Sequence, residues 1–103
     1  MIITDGTFIN EVFYSSKPVM VYFWGDWCEP CKQMSPIIDE LEKEFEGRVK
    51  ICKMNVGKGA VTAARYDIMS VPMMLFFMNG EVINVLIGKK TKNQIWTFLQ
   101  ENT

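Results

Sequence analysis

The sequence predicts an α/β fold in which a central mixed β-sheet of five strands carries four helices, in the order βαβαβαββα. Three observations predict it. The run Val19 to Trp24 is apolar without alternation, the pattern of a central strand covered on both faces. It leads into a helical pattern in which Met34, Ile37, Ile38, Leu41 and Phe45 recur at spacings of three and four. Two later apolar runs, Met73 to Met78 and Val82 to Ile87, are joined by Asn79-Gly80, the strongest short-range hairpin signal.

The remaining elements follow in order. Met1 to Thr4 is a short apolar start suited to an edge strand. Asp5-Gly6-Thr7 then offers helix-capping chemistry ahead of Phe8, Ile9, Val12 and Phe13 on one helical face. Ser15-Ser16-Lys17-Pro18 breaks that helix. The long helix after Cys28 carries Pro36, which removes one backbone hydrogen bond and predicts a kink. It ends near Gly47, and Asp39, Glu40, Glu42, Lys43 and Glu46 form its solvated face. Val49 to Val56 reads as a strand, Gly59 to Tyr66 as a short alanine-rich helix, and Thr91 to Glu101 as a final helix burying Ile95, Phe98 and Leu99. The βαβ units imply parallel strands with right-handed crossovers, and the hairpin adds an antiparallel pair.

The 103 residues suit one domain, residues 1–103, with a single hydrophobic core. A hydrophobic content of 49% against 22% charged residues is that of a folded chain, not a disordered one. Net charge is −1, and the only basic cluster is Lys89-Lys90-Lys92, which argues against nucleic acid as a partner. The chain has no histidine, the commonest metal ligand and general base. No run reaches membrane-spanning length, and Met1-Ile2-Ile3-Thr4 lacks the features of a secretory signal. The expected location is therefore the cytoplasm, where an isolated cysteine pair is more often catalytic than structural.

Chemistry concentrates in Trp27-Cys28-Glu29-Pro30-Cys31-Lys32. The two cysteines sit where the buried strand hands over to the first turn of the helix. Unpaired N–H groups and the helix dipole favour negative charge there, so a thiol ionises more easily. A second thiol one turn along can attack the mixed disulfide that the first one forms. The competing reading is half of a zinc site, which needs two more ligands; only Cys52 remains to supply one. The pair reads as a redox site. Pro30 suits the first helical turn because its missing N–H has no intrahelical partner to lose. Glu29 cuts both ways: its charge suits a helix N-terminus and opposes a thiolate at Cys28. Cys52, mid-strand, reads as a small buried hydrophobe, with a regulatory thiol as the alternative.

This segment resembles the active-site motif of the thioredoxin family, Trp-Cys-Gly-Pro-Cys-Lys, with Glu29 in place of the glycine. Ser70-Val71-Pro72, Asn79-Gly80-Glu81 and Gly88 match, in order and spacing, the family's cis-proline loop, hairpin turn and third groove loop. Pro36 also stands where the family has a proline, and the resemblance covers essentially the whole chain. It implies the thioredoxin fold, with Cys28 as the attacking thiol and Cys31 as the resolving one. It further implies a substrate groove from Trp27, Glu29, Pro30, Val56, Val71, Pro72, Met73, Ile87 and Gly88, with Val71-Pro72 cis. Met73 stands where threonine is frequent in the family. Met69, Met73 and Met74 offer an adaptable apolar rim, with core filling the competing role for Met74.

Tyr22 is the main departure, standing where the family carries a buried aspartate that helps move the resolving cysteine's proton. A phenol, with a reference pKa of about 10, is no base near neutrality, though it can hydrogen-bond. Lys53 then loses its obvious partner, and resolution by Cys31 is expected to rely on water or Glu29. The implied activity is reduction of protein disulfides by a monomer with no bound cofactor and no metal, its electrons held in the Cys28–Cys31 dithiol. The implied partners are disulfide-containing proteins and a thioredoxin reductase, without nucleic acid or membrane. Two alternatives stay open: an isomerase or oxidant of the same fold, and a binding module in which the cysteines are incidental.

Overall fold

A computed structural model describes all 103 residues. Four strands form one mixed sheet: β1 (Val19–Trp24), β2 (Lys50–Asn55), β3 (Met73–Met78) and β4 (Glu81–Ile87), in the spatial order β2-β1-β3-β4. β2 runs parallel to β1, while β3 is antiparallel to both β1 and β4. The helices are α1 (Asp5–Phe8), which continues into a π-helical turn (Ile9–Phe13), α2 (Glu29–Glu44), α3 (Ala60–Arg65) and α4 (Lys92–Glu101).

The expected fifth strand is reduced to a single parallel bridge, Ile2 to Lys53. Lys53 N–H donates to the Met1 carbonyl at 2.8 Å and Ile3 N–H to the Lys53 carbonyl at 3.0 Å. The ladder stops there because Thr4 already caps α1, its N–H donating to Thr7 Oγ1 at 2.9 Å. Asp5 does not cap its own helix either, but reaches across to α3. The first helix also departs from its predicted face. Phe8 and Val12 are buried, whereas Ile9 and Phe13 are largely exposed. The i→i+5 bond from Tyr14 N–H to the Ile9 carbonyl widens that turn and rotates those two side chains out of the stripe.

The continuous apolar run of β1 is explained by two cores, one on each face of the sheet. Met20 and Tyr22 join Met34, Ile38 and Leu41 of α2 and Ile95 and Leu99 of α4. Val19, Val21 and Phe23 point the other way, to Phe8, Val12, Cys52 and Phe77. Each fully buried aliphatic of α2 contributes about 1.5–3 kcal/mol, so this helix is held mainly by its apolar stripe. Asn79 and Gly80, at φ +53° and +82°, make the predicted tight turn between β3 and β4. β4 forms the outer edge, which is why its apolar residues are the most exposed of any strand.

Candidate active site

β1 ends at Trp24, and after three intervening residues Cys28 is the N-cap of α2. The link is short because Cys28 N–H turns back onto the Gly25 carbonyl at 3.1 Å. Cys28 and Cys31 are joined in a disulfide. Cys31 N–H donates to Cys28 Sγ at 3.2 Å, so the helix's first turn aims a backbone donor at that sulfur. Cys28 is 6% exposed and Cys31 1%, which leaves Cys28 the more accessible of the two. Pro30 occupies the second helical position, and Glu29, at the first, points into solvent. Lys32 Nζ lies 3.3 Å from the Glu29 carboxylate, which offsets part of the repulsion between that charge and a thiolate at Cys28.

Several of the other expected groove residues lie on the loops before β3 and after β4, which are joined to each other. Val71-Pro72 is a cis peptide immediately before β3. Gly88 N–H donates to the Pro72 carbonyl at 3.0 Å, and Ile87 pairs with Met73, so the loop after β4 is tied to the cis-proline loop. Trp27, Val56, Ile68, Met69, Ser70 and Val71 line a cleft of about 310 Å³. Val71 also packs against the core that contains both cysteines. A larger cleft of about 470 Å³, lined by Met1, Tyr14, Lys17, Glu42 and their neighbours, shares no residue with this one.

Several expectations divide here. Met69 is almost fully exposed on the cleft, but Met74 is completely buried, so core filling is its role. Met73 is half-buried and packs against the second core. Gly88 has φ +89°, and nothing lies within 4 Å of where a Cβ would stand. Glycine is needed there for its backbone conformation, and not for space within this chain.

Sequence reasoning missed three residues that shape the cysteine loop. A Cβ on Gly25 would stand 2.6–2.8 Å from the Trp27 ring, so only glycine lets the indole lie over that backbone. Asn55, at the end of β2, donates to Asp26 Oδ1 at 3.2 Å and accepts from Gly57 N–H at 2.8 Å. It thereby ties the loop before Cys28 to the one after β2. The alternating charge and glycine of Gly25-Asp26 carried no periodic signal that could have shown this.

Beneath the cysteines, Tyr22 is completely buried and its hydroxyl donates to the Cys31 carbonyl at 2.9 Å. Burial pushes its phenol up to about 12, so it stays protonated and acts as a donor. Lys53, expected to lack a partner, has two: Asp39 Oδ1 at 2.6 Å and Ser35 Oγ at 2.7 Å. Asp39 stays on the exposed face predicted for it while reaching the half-buried Lys53. Cys52 is fully buried and burial raises its thiol to about 11, which makes it an inert core residue. No group of three or more His, Cys, Asp or Glu side chains is placed to hold a metal ion.

A helix-capping cysteine bonded to a second cysteine one turn on, and a cis Val71-Pro72 bond just before β3, are features that the sequence resemblance implied. The family model described as Thioredoxin matches residues 1–101. A thioredoxin of Rickettsia prowazekii is 43% identical over 100 residues, covering 97% of this chain and 95% of that protein.

The chain belongs to the thioredoxin family.

A thioredoxin of Rickettsia conorii is 41% identical with the same coverage, and one of Pseudomonas aeruginosa is 33% identical over 97% of this chain and 93% of that protein. Like other thioredoxins, this chain is a thiol–disulfide oxidoreductase, a protein-disulfide reductase with a redox-active cysteine pair. The family works on disulfide-bearing substrates, is reset by reductase partners and needs no cofactor. No helix of this thioredoxin is long and apolar enough to cross a membrane.

Proposed function

We propose that this thioredoxin works in the cytoplasm as a monomer of one domain, residues 1–103, with Cys28 as nucleophile and Cys31 as resolving thiol. The Cys28 thiolate attacks one sulfur of a substrate disulfide. The Cys28–substrate S–S bond forms, the substrate S–S bond breaks, and the released substrate thiolate takes up a proton. Cys31, having given up its own proton, then attacks Cys28 Sγ. The Cys28–Cys31 bond forms and the second substrate thiol leaves, so two electrons have passed from the dithiol to the substrate. A thioredoxin reductase restores the dithiol.

The observation that supports this assignment is the Cys31 N–H aimed at Cys28 Sγ at 3.2 Å, at a helix N-terminus where negative charge is favoured. Substrate backbone and side chains would lie along Trp27, Glu29, Pro30, Val56, Val71, Pro72, Met73, Ile87 and Gly88. The half-buried and exposed apolar members offer contact area, and the cleft beside Trp27 suits an apolar side chain flanking the substrate cysteine.

Trapping tests the assignment. Cys31→Ser should accumulate a mixed disulfide through Cys28 with a disulfide-bonded protein, and Cys28→Ser should form none. A trapped adduct through Cys31 would reverse the roles. Equilibration with a thiol–disulfide buffer tests the direction of electron flow. A potential of about −270 mV fits a reductant, whereas about −180 mV would place the chain with isomerases and oxidants.

A further inference from the structure

The backbone of Cys31 does two things at once. Its N–H donates to Cys28 Sγ at 3.2 Å, and its carbonyl accepts the Tyr22 hydroxyl at 2.9 Å. Tyr22 stands in the interior of β1, paired with Lys53 on one side and Met74 on the other, and is fully buried. Its ring is packed into the same core as Met34, Ile38 and both cysteines, so the hydroxyl is held as firmly as the sheet itself. A donor fixed to the sheet and bonded to the residue-31 carbonyl restrains rotation of that residue about the helix axis. The direction of the Cys31 N–H is restrained with it.

We propose that Tyr22 is a positioning residue for the redox pair, its hydroxyl holding the Cys31 backbone so that the Cys31 N–H stays aimed at Cys28 Sγ. This rests on the reading of Cys28 as the attacking thiol. An N–H that donates to a thiolate favours its ionised form, so loosening that geometry raises the pH at which Cys28 ionises. The charged groups near the pair are Glu29 and Lys32 on α2, Asp26 in the loop before it, and Lys89 after β4, which is bonded to Gln33. Lys53 on β2 is engaged by Asp39. The segment Ser70-Val71-Pro72 brings no charge. Tyr22→Phe alters none of these charges and keeps the ring, so a change in Cys28 ionisation reports the hydroxyl alone.

The experiment follows the rate of Cys28 alkylation by iodoacetamide against pH in the reduced protein. Tyr22→Phe should move the midpoint up by about half a pH unit, roughly a threefold slower reaction at pH values well below the midpoint, with the alkaline plateau unchanged. A lower rate at every pH would mean merely disturbed packing and would overturn the proposal, as would an unchanged profile. The same comparison in a Cys31→Ala background separates backbone from thiol. The backbone bonds persist there, so the shift should persist; its disappearance would show that Tyr22 acts on the Cys31 thiol instead.

Uniform replacement of tyrosine by 3-fluorotyrosine covers the case in which Tyr22→Phe fails to fold. It keeps the ring and strengthens the donor, so the midpoint should fall. A midpoint that rises or stays would count against the proposal. Alkylation needs no disulfide substrate, so failure here is distinguishable from failure of the trapping experiment, which tests the reductase roles themselves.

Discussion

Asp5 Oδ1 accepts both the Thr62 hydroxyl, at 2.6 Å, and the Thr62 backbone N–H, at 2.9 Å. The first helix of the chain thus caps the third, and Asp5 Oδ2 takes the Val61 N–H at 3.2 Å. These bonds, the Thr62 hydroxyl foremost, hold the Asp5 carboxyl below its ordinary 3.8. Asp5→Ala is expected to cost about 1 kcal/mol in urea unfolding at pH 7, the usual scale for a lost N-terminal cap. Because the folded value is lowered, the contribution is complete above the unfolded value and is lost as pH falls through the folded one. Parent and variant should therefore converge in strong acid; a gap that stays constant down to pH 2 would refute the capping account.

Lys53 and Asp39 tie β2 to the middle of α2, near Pro36. The lysine side chain is only 13% exposed, while Asp39 is 59% exposed, so solvent screens part of the attraction. A double-mutant cycle with Lys53→Met and Asp39→Ala should give a coupling of about 0.5–1 kcal/mol. The same cycle on Glu29 and Lys32, both well exposed, should give about zero. Equal couplings would show that the partial burial of Lys53 has no energetic consequence.

Gly25→Ala puts a methyl group into the space of the Trp27 indole. The ring is the end of a mobile side chain and 69% exposed, so it can swing away at little cost to folding. Thermal stability should stay within about 0.5 kcal/mol of the parent. Tryptophan fluorescence should change, and KM for a protein disulfide should rise several-fold with kcat less affected. An unaltered KM would remove Trp27 from the groove.

Tyr22→Asp puts a carboxylate next to Cys31, with Lys53 paired in register on the neighbouring strand. Tyr22 itself remains protonated to about 12 and accepts no proton from Cys31. Resolution of the mixed disulfide should therefore accelerate toward alkaline pH in the parent and show a flatter profile in the variant. Rapid-quench measurement from pH 6 to 9 decides it. Equal rates across that range would leave the absence of a carboxylate without consequence.

Cys52 has a thiol raised by burial to about 11 from an ordinary 9.0. An acid whose folded pKa is raised weakens the fold once its unfolded form ionises. Stability should thus decline above pH 9 more steeply in the parent than in Cys52→Ala. Alkylation of the folded, reduced protein at pH 8 should label Cys28 and spare Cys52, as mass mapping would show.

How much of this was legible beforehand depends on the range of the interaction. Val19–Trp24, Met73–Met78 and the Asn79-Gly80 turn were readable because burial on two faces and positive φ leave their marks within a few consecutive residues. The start of α2 was readable for the same reason, since the N-cap and Pro30 act within one turn. The first segment was not. Whether Met1–Thr4 makes a strand or one bridge depends on how soon Thr4 begins the helix. The Ile9–Phe13 π-turn shifts a face that spacing alone had assigned.

The sequence by itself determined the order of elements, the position of the cysteine pair at the head of a helix and the family to which the chain belongs. These are properties of neighbouring residues and of matched motifs. Only the tertiary structure decided which distant groups meet. Asp5 finds Thr62, Lys53 finds Asp39 and Ser35, and Tyr22 finds the Cys31 carbonyl across gaps of nine to 57 positions. Each pairing satisfies a buried or half-buried polar group, and no local pattern encodes it. The partner is whichever group the packing of helix on sheet brings within hydrogen-bond reach.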